Sequence, residues 1–373
     1  MWLYSTNSVD LPEYHPEPQV PLMSILRTSL LVSASGTALV LLAACAPPSA
    51  GPSSGGDAGA PDEIRLGYFP NFTHAPAIIA LENGYLEEEL GDVALAPTTF
   101  NAGPAAVEAL FSEAVDMTFI GPNPTITGFV RSDGDAIRVV AGAASGGAAL
   151  VVREGIDDVD DLDGTVLATP QLGNTQDVAL RFWLRENGLS STLEGGGDVS
   201  VVPQENATTL QAFVGGQIDG AWVPEPWVTR LVAEGGGRVL VDEASLWPDG
   251  RFVVTNLVSS RDFLERYPAT VSAVIRAELR ALDFITSDPD SAKAVVNDHL
   301  EELTGSALDP TYLDEAWENV EFTVDPLVET LLASAEHATA VGLLDEADLD
   351  GLYALDPLND VLQGRGDSPV ALP

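Results

Sequence analysis

Short β-like runs alternate with helical ones from residue 63 onward, and this alternation restricts the fold more than any other feature of the chain. Segments 64–68, 93–99 and 116–120 predict strands, with helices at 75–90 and 104–111 between them. Further strands are expected at 137–141, 148–152, 166–169, 199–202, 218–223 and 239–241, and a helix at 178–186. Strands that alternate with helices belong to α/β architecture with largely parallel sheets. Beyond Arg261 the pattern becomes mostly helical, most clearly at 268–286, 290–303 and 327–341. A chain of 373 residues has room for two ordinary domains.

An internal echo points to two similar units. Glu108-Ala109-Leu110, followed by Asp116 and Phe119-Ile120, returns with the same spacing as Gln211-Ala212-Phe213, Asp219 and Trp222-Val223. Each copy reads as a helix, a tight turn and a strand that ends in a proline-rich loop, Gly121-Pro122-Asn123-Pro124 or Pro224-Glu225-Pro226-Trp227. In open parallel sheets, ligands bind beyond the carboxyl ends of the strands. Two such lobes facing each other would line a shared cleft with these loops.

Loops 69–74, 100–104, 121–124 and 169–177 each follow a predicted strand, open a predicted helix and contain neither lysine nor arginine. Helix starts leave amide N–H groups unpaired and carry a partial positive charge, so an anionic head group can be held there by backbone dipoles and neutral amides. The loops offer Asn71, Asn101, Asn123, Gln171, Asn174 and Gln176, and His74 is their one histidine. Pro104 suits a first helical position, while Asn174 suits an N-cap with Asp177 three residues on and Gly188 at the far end. Residues 142–147 are expected to form either a flexible hinge between the lobes, with Ser145 near the cleft, or a plain turn. Glu225, flanked by Trp222 and Trp227, can accept a hydrogen bond from a ligand amino group or pair with the opposite lobe.

The charge balance removes several function classes. Acidic residues number 57 against 16 basic ones, for a net charge of −41, and Lys293 is the single lysine. Nucleic-acid binding needs a cationic face that this chain lacks. A solvated acidic surface keeps a protein soluble and monomeric. Cys45 is the single cysteine, which rules out an intrachain disulfide and a cysteine-based metal cage. The acidic run 157–163 lacks the central glycine and final glutamate of a calcium loop. No Gly-x-Ser-x-Gly elbow, His-x-x-His pair or dinucleotide fingerprint is present, so no metal, no cofactor and no catalytic role is expected.

The amino-terminal region reads as an export signal. Arg27 precedes an apolar run at 30–32, a small-residue patch at 33–37 and a second apolar run at 38–44 that ends at Cys45. The patch, with Pro47, Pro48 and Gly51, interrupts the ~20 apolar residues a membrane span needs. Residues 1–22 carry Asp10, Glu13 and Glu17, unlike the basic start of a signal, and read as an extension of the gene model with Met23 as initiator. The Pro, Gly and Ser of 46–62 describe a flexible tether. The expected division is therefore signal 23–45, linker 46–62, a first lobe from 63–145 and 246–373, and a second lobe from 146–245.

Leu41-Leu42-Ala43-Ala44-Cys45 resembles the lipobox of bacterial lipoproteins, whose cysteine is lipidated. The stretches LGYFPNFTHAP (66–76), FNAGPAAVEALF (100–111), IGPNP (120–124), ATPQLGNTQD (168–177) and DGAWVPEPW (219–227) resemble the nitrate/sulfonate/taurine group of ABC transporter substrate-binding proteins, the aliphatic-sulfonate branch above all. The resemblance implies a periplasmic-binding-protein-like fold of type II, with two α/β lobes closing on a small solute and a helical carboxyl-terminal region. It implies ligand contacts from Asn71, His74, Asn101, Gly103, Asn123, Ser145, Gly173, Asn174, Thr175 and Glu225, with sulfonate oxygens at the helix starts of Gly103-Pro104 and Asn174-Thr175. It also implies an ABC permease and ATPase as partners and a place on the outer face of the cell membrane, held by lipid on Cys45. Nitrate, taurine or a pyrimidine are alternative cargoes. The thiamine-pyrimidine synthases share the architecture but depend on a cofactor-binding lysine, whereas Lys293 lies in the helical tail.

Overall fold

The computed structural model describes residues 59–372. The segments 1–22 and 23–45, Cys45 and most of the tether lie outside the described residues. The chain begins with β1 (Glu63–Tyr68), α1 (Ala75–Glu82), α2 (Tyr85–Leu90), β2 (Ala94–Thr99), α3 (Gly103–Phe111), β3 (Met117–Ile120), α4 (Pro122–Arg131) and β4 (Ile137–Gly146). It continues with β5 (Ala148–Val152), β6 (Val166–Thr169), α5 (Thr175–Glu186), β7 (Ser200–Pro203), α6 (Asn206–Val214), β8 (Gly220–Pro224), α7 (Trp227–Ala233) and β9 (Arg238–Asp242). The last part comprises β10 (Val253–Ser260), α8 (Arg261–Arg266), α9 (Pro268–Ser287), α10 (Pro289–Thr304), α11 (Pro310–Glu318), β11 (Val320–Phe322), α12 (Val328–Ala340) and α13 (Asp356–Arg365).

Two sheets result, ordered β11-β4-β10-β3-β1-β2 and β7-β6-β8-β5-β9. Without the short edge strand β11, their plans match: each has three parallel strands, then one antiparallel strand, then a last strand parallel to the first three. The antiparallel member is in each case the strand that has just crossed from the other lobe. β4 leads through Gly147 into β5, and β9 leads through residues 243–252 into β10. The matched plan explains the internal echo. Asp116 and Asp219 each stand before the third strand of their own sheet. Each accepts a backbone N–H of the first strand at 2.8 Å, from Arg65 and Val166 respectively, and returns its own N–H to the same residue.

Both sheets are covered on both faces, as parallel sheets require. One face of the first sheet packs Ile64, Leu66 and Phe72 against α9 and α10, and the other packs Ile137 and Val139 against α4 and Leu331 of α12. The second sheet carries Phe213, Trp227 and Leu231 on one side and Leu180, Leu184 and Trp222 on the other. Burying each such side chain contributes about 1.5–3 kcal/mol relative to exposure.

Three expectations need correction. The helix read at 75–90 is two helices, because Gly84 turns the chain at φ 71°, a left-handed conformation that glycine adopts without strain. Residues 142–146 are strand rather than loop, so only Gly147 separates β4 from β5. Gly142 allows close packing: a Cβ there would lie 2.2 Å from the backbone oxygen of Asp325. The central strand β10 escaped the reading because Thr255, Asn256 and Ser259 break its apolar pattern, although all three are buried.

Candidate functional site

The carboxyl ends of β1, β2 and β3 in one sheet and of β6, β7 and β8 in the other converge on a small cavity. The first lobe lines it with Phe69, Asn71, Thr73 and His74 after β1, Asn101 after β2, Gly121 after β3, and Val254 of β10. The second lobe adds Pro170, Asn174, Thr175 and Gln176 after β6, Asn206 after β7 and Pro224 at the end of β8. The cavity measures about 20 Å³, room for little more than one water molecule. No charged side chain belongs to this lining among the described residues.

Helix capping explains why so many donors point here. An N-cap side chain normally satisfies one of the free N–H groups of a helix's first turn. The N-cap residues of α3, α4, α5 and α6 are Ala102, Gly121, Asn174 and Glu205, and none caps its own helix. Away from the cavity, Ser260, Asp288 and Asp309 cap α8, α10 and α11, whereas α2, α9, α12 and α13 start without a side-chain cap, so it is the convergence of the cavity's starts that sets them apart. Asn174 instead reaches across the cleft. Its Oδ1 accepts the Gly103 N–H at 3.2 Å, and its Nδ2 donates to Gln176 Oε1 at 2.7 Å. Glu205 likewise turns to the other lobe, accepting Asn101 Nδ2 at 2.7 Å. Thr175 Oγ1 and Asn206 Oδ1 are buried without a protein partner.

Further bonds hold the lobes closed. Trp227 Nε1 donates to Asn71 Oδ1 at 3.0 Å, and the Phe72 N–H donates to the Glu225 carbonyl at 3.0 Å. The lobes approach so tightly that a Cβ on Gly121 would lie 2.3 Å from Thr175 Oγ1. His74 is buried and stacks on Phe69, ring centres 4.5 Å apart. Complete burial pushes its pKa down to about 3, so the ring is neutral at physiological pH. Its Nδ1 accepts the Phe69 N–H at 3.4 Å, which assigns the proton to Nε2 and leaves that nitrogen as a donor.

Of the residues expected to touch a ligand, the fold brings Asn71, His74, Asn101, Asn174 and Thr175 to the cavity wall and places five others elsewhere. Gly103 stands behind Asn174, and its lack of a side chain serves packing, since a Cβ would lie 2.2 Å from Pro124 Cγ. Asn123 turns away and donates to the Ser334 carbonyl of α12 at 3.0 Å. Ser145 lies within β4, its hydroxyl accepting the Phe252 N–H at 3.1 Å. Gly173 forms an outer turn at φ 74°, with its N–H on Asp177 Oδ2. Glu225 points out of the cavity and pairs with the opposite lobe. Its carboxylate accepts Asn319 Nδ2 at 2.9 Å, as well as the N–H and hydroxyl of Thr229. Burial raises this carboxyl to about 7 against the opposing pull of those donors. Thr73 and Asn206 were not anticipated. Asn206 follows the same strand, loop and helix pattern as the other sites, after β7.

A larger open groove of about 430 Å³ lies at the opposite, amino ends of the first sheet's strands. Its Arg65 is already paired with Asp116, and the groove mixes both charges without converging donors. The cavity between the lobes is the better site on chemistry.

A family model described as the NMT1-like family matches residues 57–298. The taurine-binding periplasmic protein of Escherichia coli K12 is 28% identical over 194 residues, covering 51% of this chain and 57% of that protein. A putative aliphatic sulfonates-binding protein of Bacillus subtilis 168 is 26% identical over 292 residues, covering 74% and 80%. The alkanesulfonate-binding protein SsuA of Xanthomonas axonopodis pv. citri, solved bound to MOPS, superposes with a TM-score of 0.64 at 22% identity, over 78% of this chain and 96% of that one. That likeness carries the fold, two α/β lobes of the periplasmic-binding-protein kind. The matched residues span both sheets except the edge strand β11, with every loop at the cavity, and on that match the chain belongs to the NMT1-like family.

Proposed function

We propose that the protein is an extracytoplasmic substrate-binding lipoprotein of an ABC importer, capturing a small anion, an aliphatic sulfonate first, for delivery to a permease. The observation that carries this reading is the convergence of uncapped helix starts from both lobes on one buried, uncharged cavity. Such starts hold an oxyanion without a formal cation. The relatives named for taurine and aliphatic sulfonates direct the choice of anion.

In this reading Asn71, His74, Asn101 and Thr175 contact the solute, joined by Gln176 and Asn206, and Asn174 gives up its place on the Gly103 N–H to the anion. A sulfonate is too large for a cavity of about 20 Å³, so entry requires the lobes to swing apart. Hinges are a few element-terminal residues that absorb the backbone change, and Gly147 with 243–252 are the two crossovers available. Closure on the solute then presents a changed surface to the permease and its ATPase. Cys45 carries the lipid, and residues 46–62 give the monomeric receptor its reach.

Thermal unfolding of residues 46–373 with alkanesulfonates tests the receptor reading. A solute that binds only the folded state raises the melting temperature by mass action, worth about 2.7 kcal/mol at a hundredfold excess over Kd. A rise with methanesulfonate or ethanesulfonate supports the proposal. No rise with any sulfonate, alongside a rise with nitrate, overturns the choice of solute. Membrane fractionation of Cys45→Ser tests the anchor: release supports it and unchanged retention contradicts it.

A further inference from the structure

Of the four helix starts at the cavity, only that of α5 carries an acid in its first turn, Asp177; those of α3, α4 and α6 carry none. Asp177 is fully buried and shapes the loop that supplies Pro170, Asn174, Thr175 and Gln176 to the cavity. Its Oδ1 accepts the Thr169 hydroxyl and its Oδ2 accepts the Gly173 N–H, both at 2.9 Å, tying Thr169 to Gly173 across the turn. A carboxylate in a first turn cancels the partial positive charge, roughly half an elementary charge, that a helix start offers an anion. Left alone it would repel the solute that the same loop holds, a conflict that rests on the receptor reading above.

Arg181 stands one turn further along α5, 2% exposed, with its Nε 3.1 Å from the same Oδ1. Among the described residues, Asp177 is the one carboxylate within salt-bridge reach of Arg181. Nη1 donates to the Thr192 carbonyl at 2.8 Å, and Nη2 is buried without a protein partner. A buried ion pair is weak evidence for stability, since apolar residues of similar volume often replace one at little cost. This pair has a second use. It leaves the loop its acceptor for Thr169 and Gly173 while the two charges sum to zero.

We infer that Arg181 is a positioning residue of the solute site: acting through Asp177, it cancels the carboxylate's charge, so that the start of α5 keeps its pull on an anion. Calorimetry of the mature chain with ethanesulfonate at pH 8, which favours the ionised carboxylate, separates charge from shape. Arg181→Met leaves Asp177 unbalanced and is expected to weaken binding at least about tenfold. Arg181→Lys keeps the charge but loses the planar fork, and is expected to stay within about threefold of the wild type. Adding Asp177→Asn to Arg181→Met removes both charges and is expected to bind at least about threefold tighter than Arg181→Met alone.

Melting curves without solute identify a variant that does not fold. If Arg181→Met is one, the test passes to Asp177→Asn combined with Arg181→Lys or with Arg181→Met, two variants that both lack the fork. The lysine form, with its uncancelled cation, is expected to bind about threefold tighter. Equal affinities in that comparison, Arg181→Lys as weak as Arg181→Met, or a loss that Asp177→Asn does not relieve would each overturn the inference. Arg181 would then only brace Thr192, and the receptor reading would stand on the wild type's binding. A wild type that binds neither ethanesulfonate nor nitrate overturns the receptor reading, and this inference with it.

Discussion

Asn174 occupies the N-cap of α5, yet its side-chain oxygen accepts the backbone N–H of Gly103, 3.2 Å away at the start of α3 in the other lobe. Ala102, which precedes α3, has no side chain able to do this. The amide oxygen thus stands where an anion's oxygen would stand, at the positive end of a nine-residue helix.

Asn174→Ala removes a bond worth about 1 kcal/mol net, and a sulfonate oxygen can take its place on Gly103. Calorimetry is expected to show affinity within about threefold of the wild type. Asn174→Asp places a fixed negative charge at the same position and is expected to weaken sulfonate binding by more than about tenfold. Loss of binding in Asn174→Ala would instead mean that the side chain itself holds the solute.

Gly121 sets how closely the lobes meet. Gly121→Ala puts a methyl group 2.3 Å from Thr175 Oγ1 in the closed form. Each lobe keeps its own core, so the expected outcome is an unchanged melting temperature without solute and about tenfold weaker binding with it. Adding Thr175→Ala relieves the clash, and the pair should couple by more than about 0.5 kcal/mol in a double-mutant cycle. Additive losses would contradict the close approach.

Acidity acts on stability through buried carboxyls. Burial raises Glu225 and Glu243 to about 7 from the ordinary 4.5, and raises Glu278 well above it. The folded state therefore holds protons that the unfolded chain has released, and stability falls as pH rises through 7. Acidification from pH 8 to 6.5 should return roughly 1 kcal/mol for each of Glu225 and Glu243, a few degrees in melting temperature. His74 has the opposite sign. With its pKa lowered to about 3, its contribution is complete above pH 6.5 and is lost as pH falls below that value, so it opposes any further gain on acidification past pH 6.5. Glu225→Gln and Glu243→Gln should each flatten the melting-temperature profile between pH 8 and 6.5. A wild-type profile that rises toward pH 8 would contradict this assignment.

His74 is a neutral donor in the same account. His74→Gln retains an N–H on a side chain of similar reach and is expected to bind a sulfonate within about fivefold of the wild type. His74→Phe lacks the donor and should lose about 1.5–3 kcal/mol of binding, the range for a hydrogen bond to a charged group. Equal affinities in the two variants would remove His74 from the solute's partners.

The strand, loop and helix pattern of the sequence located the cavity, because parallel strands deliver their following loops to one edge of the sheet. It did not settle where each side chain points. Gly103 was expected as a helix start that meets a sulfonate oxygen, whereas its N–H is held by Asn174 and the space beside its Cα is taken by Pro124. Asn123 and Ser145, expected in loops, lie in α4 and β4, and their bonds run to Ser334 and Phe252, residues far away in sequence. Glu225 took the second of its two open readings, the pairing across the lobes. Such partners depend on long-range packing that no local pattern encodes. The echo of Asp116 in Asp219 was legible because both meet the same local demand, a free N–H on the neighbouring first strand.

A crystal structure of the mature chain grown with ethanesulfonate tests most directly whether the helix starts hold the anion. The account predicts density for the sulfonate between the starts of α3 and α5, with oxygens on backbone N–H groups and the Asn174–Gly103 bond displaced. An anion bound in the groove beside Arg65 and Arg266, or lobes still joined by Asn174 and Gly103 around an undisplaced contact, would contradict it.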